Sequence, residues 1–159
     1  MKGVLNLLCV CAALMMCATP GMAQTPGEQD MQILAEKIKA DKKLFVSMNM
    51  DLTEKEGKEF WPLYDAYQID IDRMNEKLGA LISEYADAYN KGSVPNEISA
   101  RLIKEVLRFE AEELKLKIGY MAKIGKVLPA TKVARYLQIE NKIRAIIKFG
   151  LAADIPLIH

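Results

Sequence analysis

The chain has 159 residues, 22 Lys and Arg against 21 Asp and Glu, three cysteines and one histidine. A net charge of +1 gives no global attraction to nucleic acid or to an anionic membrane. The last cysteine is Cys17 and the histidine ends the chain, so the body of the chain has neither thiol nor imidazole to offer as nucleophile or base.

Residues 1–23 read as a cleaved export signal. Lys2 supplies the charged start, residues 4–16 form an apolar run broken by Asn6, and Gly21-Met22-Ala23 makes a small-x-small cleavage site before Gln24. The run is shorter than the roughly 20 apolar residues a spanning helix needs. Cys17 follows Met16, where lipid attachment wants a small residue. The expectation is a soluble protein of the bacterial periplasm with no membrane span. Cleavage leaves the chain from Gln24 to His159, with basic and acidic groups in balance and no cysteine. That length suits one domain, which must fold on its hydrophobic core without disulfides.

Residues 24–30 are polar, contain Pro26 and Gly27, and read as a flexible leader; a single helical domain is expected over residues 31–159. Met31, Leu34, Ile38, Phe45 and Met48 recur at helical spacing, which predicts a first helix ending near Met48. Thr53, with Glu56 three positions later, is a capping-box start for the second helix. Phe60, Tyr64, Tyr67, Ile71, Met74, Leu78, Leu81, Tyr85 and Ala88 then follow in steps of three and four, a coiled-coil-like seam. A helix continuous to Asn90 would be ~55 Å long. Pro62 lies inside it, so a kink is expected near residues 58–61.

The turn formed by residues 91–95 is short, and short connections make antiparallel neighbours. A third helix is expected from Asn96 to Val127, with Leu102, Val106, Phe109, Leu116, Ile118, Met121, Ile124 and Val127 over a broad apolar arc. Leu128-Pro129 breaks it. A fourth runs from Thr131 to Phe149, with Gly150 as its stop. The tail from Leu151 is expected to pack on the bundle. No segment has strand patterning. The fold reading is therefore all-α: a long antiparallel helical hairpin with shorter flanking helices, four in total. Leu52, Glu56, Phe60, Trp61 and Leu63 also echo Leu128, Lys132, Tyr136, Leu137 and Ile139 at one constant offset. Either an internal repeat or the common pattern of amphipathic helix starts accounts for that.

Catalytic and cofactor signatures are missing. There is no nucleophile–base pair, no zinc-ligand spacing, no Glu-x-x-His pair and no glycine-rich phosphate loop. The carboxylates Asp65, Asp70, Asp72, Glu76, Glu110, Glu112 and Glu113 read as a solvated face, with paired acid–base catalysis as the other reading. No cofactor or metal is expected, and the protein is not expected to be an enzyme.

Two features point to contact with other molecules. Phe60, Trp61 and Tyr64 form an aromatic cluster that is either core or part of a gripping surface. Charge is uneven as well. Residues 51–113 carry a net of −7 and residues 114–159 a net of +7. Either the two halves of the hairpin neutralise each other, or Lys115, Lys117, Lys123, Lys126, Lys132, Arg135, Lys142, Arg144 and Lys148 attract acidic partners.

The exported all-α chain with Leu52-Thr53-Glu54-Lys55-Glu56 resembles the Spy/CpxP-like LTxxQ family of periplasmic stress chaperones, with Glu56 where that family has Gln. A weaker second match is Leu128-Pro129-Ala130-Thr131-Lys132. The stretch from Lys132 to Ile158 is similar to uncharacterised exported proteobacterial relatives of that group. The resemblance implies a cradle-shaped antiparallel homodimer that shields unfolded or misassembled periplasmic proteins without ATP, and an envelope-stress sensor as a further partner. The zinc bound by some relatives is not implied, because the His and Cys it needs are missing. Phe60, Trp61, Tyr64, Lys132, Arg135 and Tyr136 are the expected client-binding residues. The other function considered is a structural or adaptor module for one dedicated envelope or sensor partner.

Overall fold

A computed structural model describes residues 41–158. The expected signal and leader, the first helix before Asp41, and His159 lie outside them. The first described element, α1 (Lys42–Met50), starts at Asp41, whose carboxylate accepts a 2.7 Å hydrogen bond from the Leu44 N–H. It ends at Asp51, which adopts a left-handed φ of 48°. Asp and Asn reach that region more readily than most side chains because they can hydrogen-bond locally.

Helix α2 (Glu54–Asn90) has the predicted capping box. The Thr53 N–H donates to Glu56 Oε2 at 2.8 Å, and the Glu56 N–H donates to Thr53 Oγ1 at 3.3 Å. The helix continues through Pro62 without a break in its 37 residues. Gly92, at φ 100°, turns the chain toward α3 (Asn96–Ile124). Only glycine adopts that backbone without strain.

Two helix ends differ from expectation. The third helix stops at Ile124 rather than Val127. The N–H groups of Lys126 and Val127 reach back only as far as Lys123 and Ile124, so the chain tightens ahead of Pro129. Helix α4 (Ala130–Asp154) passes through Gly150 and ends beyond the expected Phe149. Its stop is set by Pro156, which holds Ile155 in an extended conformation. The tail is tied down at one point, where the Tyr85 hydroxyl donates to the Pro156 carbonyl at 2.7 Å, while Leu157 and Ile158 stay exposed.

Side-chain contacts give the helix directions. Lys42 meets Glu140 while Lys132 meets the Asp51 carbonyl, so α1 is antiparallel to α4. Arg144 meets Glu113 and Lys148 meets Glu110, so α4 is antiparallel to α3. The α2–α3 hairpin completes an up-down-up-down arrangement of the four described helices. Among the described residues there is no strand, and the all-α reading holds.

The core lies where all four helices overlap. It joins Val46 and Met50 to Phe60, Tyr64, Tyr67 and Ile71, to Tyr120, Ile124 and Leu128, and to Tyr136, Ile139 and Ile143. The α2 seam is buried within this chain from Phe60 to Met74 and again at Ala88. Leu78, Leu81 and Tyr85 between them are half-buried. The two echoed helix starts pack on each other, and equivalent positions meet. Lys132 Nζ lies 2.6 Å from Glu56 Oε2, and the Phe60 and Tyr136 rings cross edge-on at 5.1 Å.

Candidate partner-binding surface

The six residues singled out in the sequence fall into two groups. Phe60, Tyr64 and Tyr136 are buried and form one aromatic cluster with Tyr67. A side chain with no exposed surface cannot touch a partner unless the bundle opens, so these three hold the core together. Trp61 sits half-buried at the cluster's rim, edge-on to both Phe60 and Tyr64, with the Lys43 ammonium 5.4 Å above its ring. It lines a cleft of ≈ 610 Å³ with Ser47, Leu52, Thr53, Gly57 and Pro62. Lys132 is held by Glu56 and the Asp51 carbonyl. Arg135 is exposed, one turn along α4 from Lys132.

Internal pairing accounts for part of the basic half. Of the nine cations named there, Lys132, Arg144 and Lys148 form ion pairs with Glu56, Glu113 and Glu110. Lys123 lies 4.3 Å from the Tyr120 ring centre, and Lys117 donates to Asn141. The rest face solvent or line a cleft.

Two buried carboxylates escape sequence reasoning. Glu113 on α3, expected on a solvated face, is buried and accepts from Arg144 Nε at 2.6 Å. Glu140 on α4 is buried as well and accepts from Lys42 and Gln68. The signal was available. Glu113 falls in the same register as Phe109, Leu116 and Tyr120, and Glu140 lies between Ile139 and Ile143. A charge in an apolar register needs a partner, and α4 supplies Arg144 for the first.

Shifted titrations all move away from neutrality. The Lys132 ammonium, with the Thr53 N–H, holds the Glu56 carboxyl down at about 2. Burial, and then the Glu140 charge, pushes the Tyr64, Tyr67 and Tyr136 hydroxyls up. Burial and the Asp70 hydrogen bond do the same to Tyr120. Among the described residues, no group of three or more His, Cys, Asp or Glu side chains could hold a metal ion, and no helix is long and apolar enough to cross a membrane.

The Glu56 shift has a measurable consequence. Its folded pKa is depressed from 4.5 to about 2, so the ion pair contributes fully above 4.5 and is lost as pH falls toward 2. In urea titrations across that window, the wild type should lose stability faster than Glu56→Gln, which keeps cap hydrogen bonding but cannot titrate. Parallel curves would contradict the assignment.

An uncovered row of apolar side chains lies on α3. Its inner face buries Leu102, Phe109, Tyr120 and Ile124. On the opposite side Ala100, Ile103, Leu107, Ala111, Leu114, Ile118 and Ala122 recur in steps of three, four and four, and all are exposed. Ile103, Leu107, Leu114 and Ile118 are each 57–62 % exposed. The stripe is ~33 Å long at the α-helical rise. Isolated exposed aliphatics are ordinary, whereas an aligned row of this length makes the outer face of α3 a candidate contact surface. The broad arc read from the sequence is thus two faces. It included Ile118 but not Ile103, Leu107 or Leu114.

The chain matches no protein-family model, no curated protein and no solved structure.

Proposed function

We propose that this is a non-catalytic, chaperone-like binding protein of the bacterial envelope, related to the LTxxQ group, which shields exposed apolar segments of unfolded periplasmic proteins. The observation that carries this reading is the uncovered stripe on α3. A helix whose inner face already closes the bundle has no stability reason to keep four large aliphatics in water at regular spacing. Further support comes from the export signal read in residues 1–23 and from the capping box of Thr53 and Glu56 in the Leu52-Thr53-Glu54-Lys55-Glu56 stretch. Partly exposed Trp61 and the neighbouring cleft give a second apolar grip at the base of the bundle.

The test is suppression of aggregation. Purified protein added at a near-equimolar ratio to a chemically denatured client, without nucleotide, should slow light scattering. Leu107→Ser/Leu114→Ser should lose that effect while its circular dichroism stays that of the wild type. No suppression at several-fold excess of wild type would overturn the reading. The even spacing of the stripe also suits a single dedicated helical partner. A pull-down that returns one stoichiometric protein and no others would favour that adaptor reading.

A further inference from the structure

The two edges of the α3 stripe differ in charge. One edge faces α4 and is occupied: Glu110 pairs with Lys148, Glu113 with Arg144, and Lys117 donates to Asn141. The other edge faces α2 and carries Lys104, Arg108 and Lys115 at helical spacing, all exposed. Among the described residues, Arg108 alone of these three has an ion-pair partner, Glu112, one turn away on the same helix.

Lys115 also borders a cleft of ≈ 540 Å³ between α2 and α3. Arg73, Lys77 and Lys123 line it over a floor of Met74, Leu116 and Gly119. Its two carboxylates are already engaged, Asp70 by Arg73 and the Tyr120 hydroxyl, Glu112 by Arg108. On its α2 side the stripe is therefore bounded by a positive band in which Lys104, Lys115 and, across the cleft, Lys77 form no ion pair among the described residues, and on its α4 side by two ion pairs and Lys117, which donates to the uncharged Asn141.

We infer that the stripe's occupant is an amphipathic helix, apolar along one face and carrying carboxylates along one edge. This inference rests on the proposed function and narrows its partner class. Two observations select it, and two other occupants fit less well. Steps of three, four and four make an eleven-residue repeat, the spacing at which a nearly straight helix keeps its seam against a second helix. The positive band would meet the partner's carboxylates while aliphatics meet aliphatics, giving both register and orientation. An anionic bilayer fits less well, because interfacial helices carry cations over their whole polar face, whereas the α4-side edge here holds Glu110. A second copy of α3 fits less well too. In an antiparallel two-fold pair the α2-side edges face each other, which places Lys104 near the other copy's positive band.

The experiment uses two synthetic amphipathic peptides, each long enough to span the stripe, with one shared apolar face. One carries Glu along an edge and the other Lys at the same positions. Binding to the full purified protein is followed by titration calorimetry at low salt, beside a K104E/R108E/K115E variant of unchanged circular dichroism. The Glu-edged peptide should bind the wild type about tenfold more tightly than the Lys-edged one, roughly the effect of two close charge pairs. The triple reversal should invert that order. Equal binding of both peptides would leave the proposed function standing and overturn the partner class. If neither binds and aggregation suppression is also absent, both fall. Tighter binding to phosphatidylglycerol vesicles than to either peptide would overturn the inference in favour of a membrane surface. A wild-type dimer in sedimentation that becomes monomeric in Leu107→Ser/Leu114→Ser would overturn it in favour of a second copy.

Discussion

Phe60→Ala should destabilise the bundle by ~3–5 kcal/mol, as large-to-small changes of fully buried aromatics do. Phe60 has no exposed surface, packs edge-on against Trp61 and Tyr136, and stands in the cluster that draws on all four helices. Its removal opens a void between the two echoed helix starts. Urea unfolding monitored by far-ultraviolet circular dichroism reads the loss directly. The neighbouring Tyr136→Phe should behave in the opposite way. The Tyr136 hydroxyl is buried beside Glu140, near enough for the carboxylate to raise its pKa, yet it has no well-formed hydrogen bond. Deleting it removes an unsatisfied group and should leave stability unchanged or raised by up to ~1 kcal/mol. A large loss in Tyr136→Phe, or a loss below ~1 kcal/mol in Phe60→Ala, would contradict this packing.

Glu113→Ala should cost ~3–5 kcal/mol, because it strands the Arg144 guanidinium. Both partners are largely shielded, the Glu113 side chain at 6 % exposure and that of Arg144 at 14 %. Arg144 also reaches Asn75 on α2, so one guanidinium ties three helices together. The pair itself need not stabilise the fold, since desolvation offsets most of its attraction. The double variant Glu113→Leu/Arg144→Met should therefore recover most of the stability lost by Glu113→Ala. A double-mutant cycle in urea measures this. If the double variant is as unstable as the sum of the two singles, the site does not tolerate apolar packing and the desolvation argument fails.

Much of the fold was legible because local and tertiary signals agreed. Thr53 and Glu56 satisfy the first turn of α2 by themselves, so no distant contact could move that boundary. The α2 seam repeats for long enough that only a helix can bury it. Boundaries failed where two local signals competed. Gly150 read as the stop of the last helix, yet the helix runs on to Asp154, because glycine only weakens a helix whereas Pro156 disfavours the helical conformation of Ile155.

The candidate surface was harder to read. Phe60, Tyr64 and Tyr136 were candidates because aromatics suit both core and contact surface, and burial depends on where α1 and α4 lie. No single helix encodes that placement. The stripe on α3 was hidden for a related reason. Ile103, Leu107 and Leu114 interleave with buried Leu102 and Phe109, and only a neighbour on one side separates the two sets. Glu113 and Arg144 sit on different helices, well separated in the chain, so neither residue marks the other without the fold.

Under the proposed function, partners land on the outer face of α3. A photo-crosslinking amino acid placed at Leu107 or Leu114, compared with one at exposed Ala80 on α2, tests this directly. Irradiation with a denatured client should give crosslinked product from both α3 positions and little from Ala80. Equal yields at all three positions, or a higher yield at Ala80, would show that partners do not use the stripe.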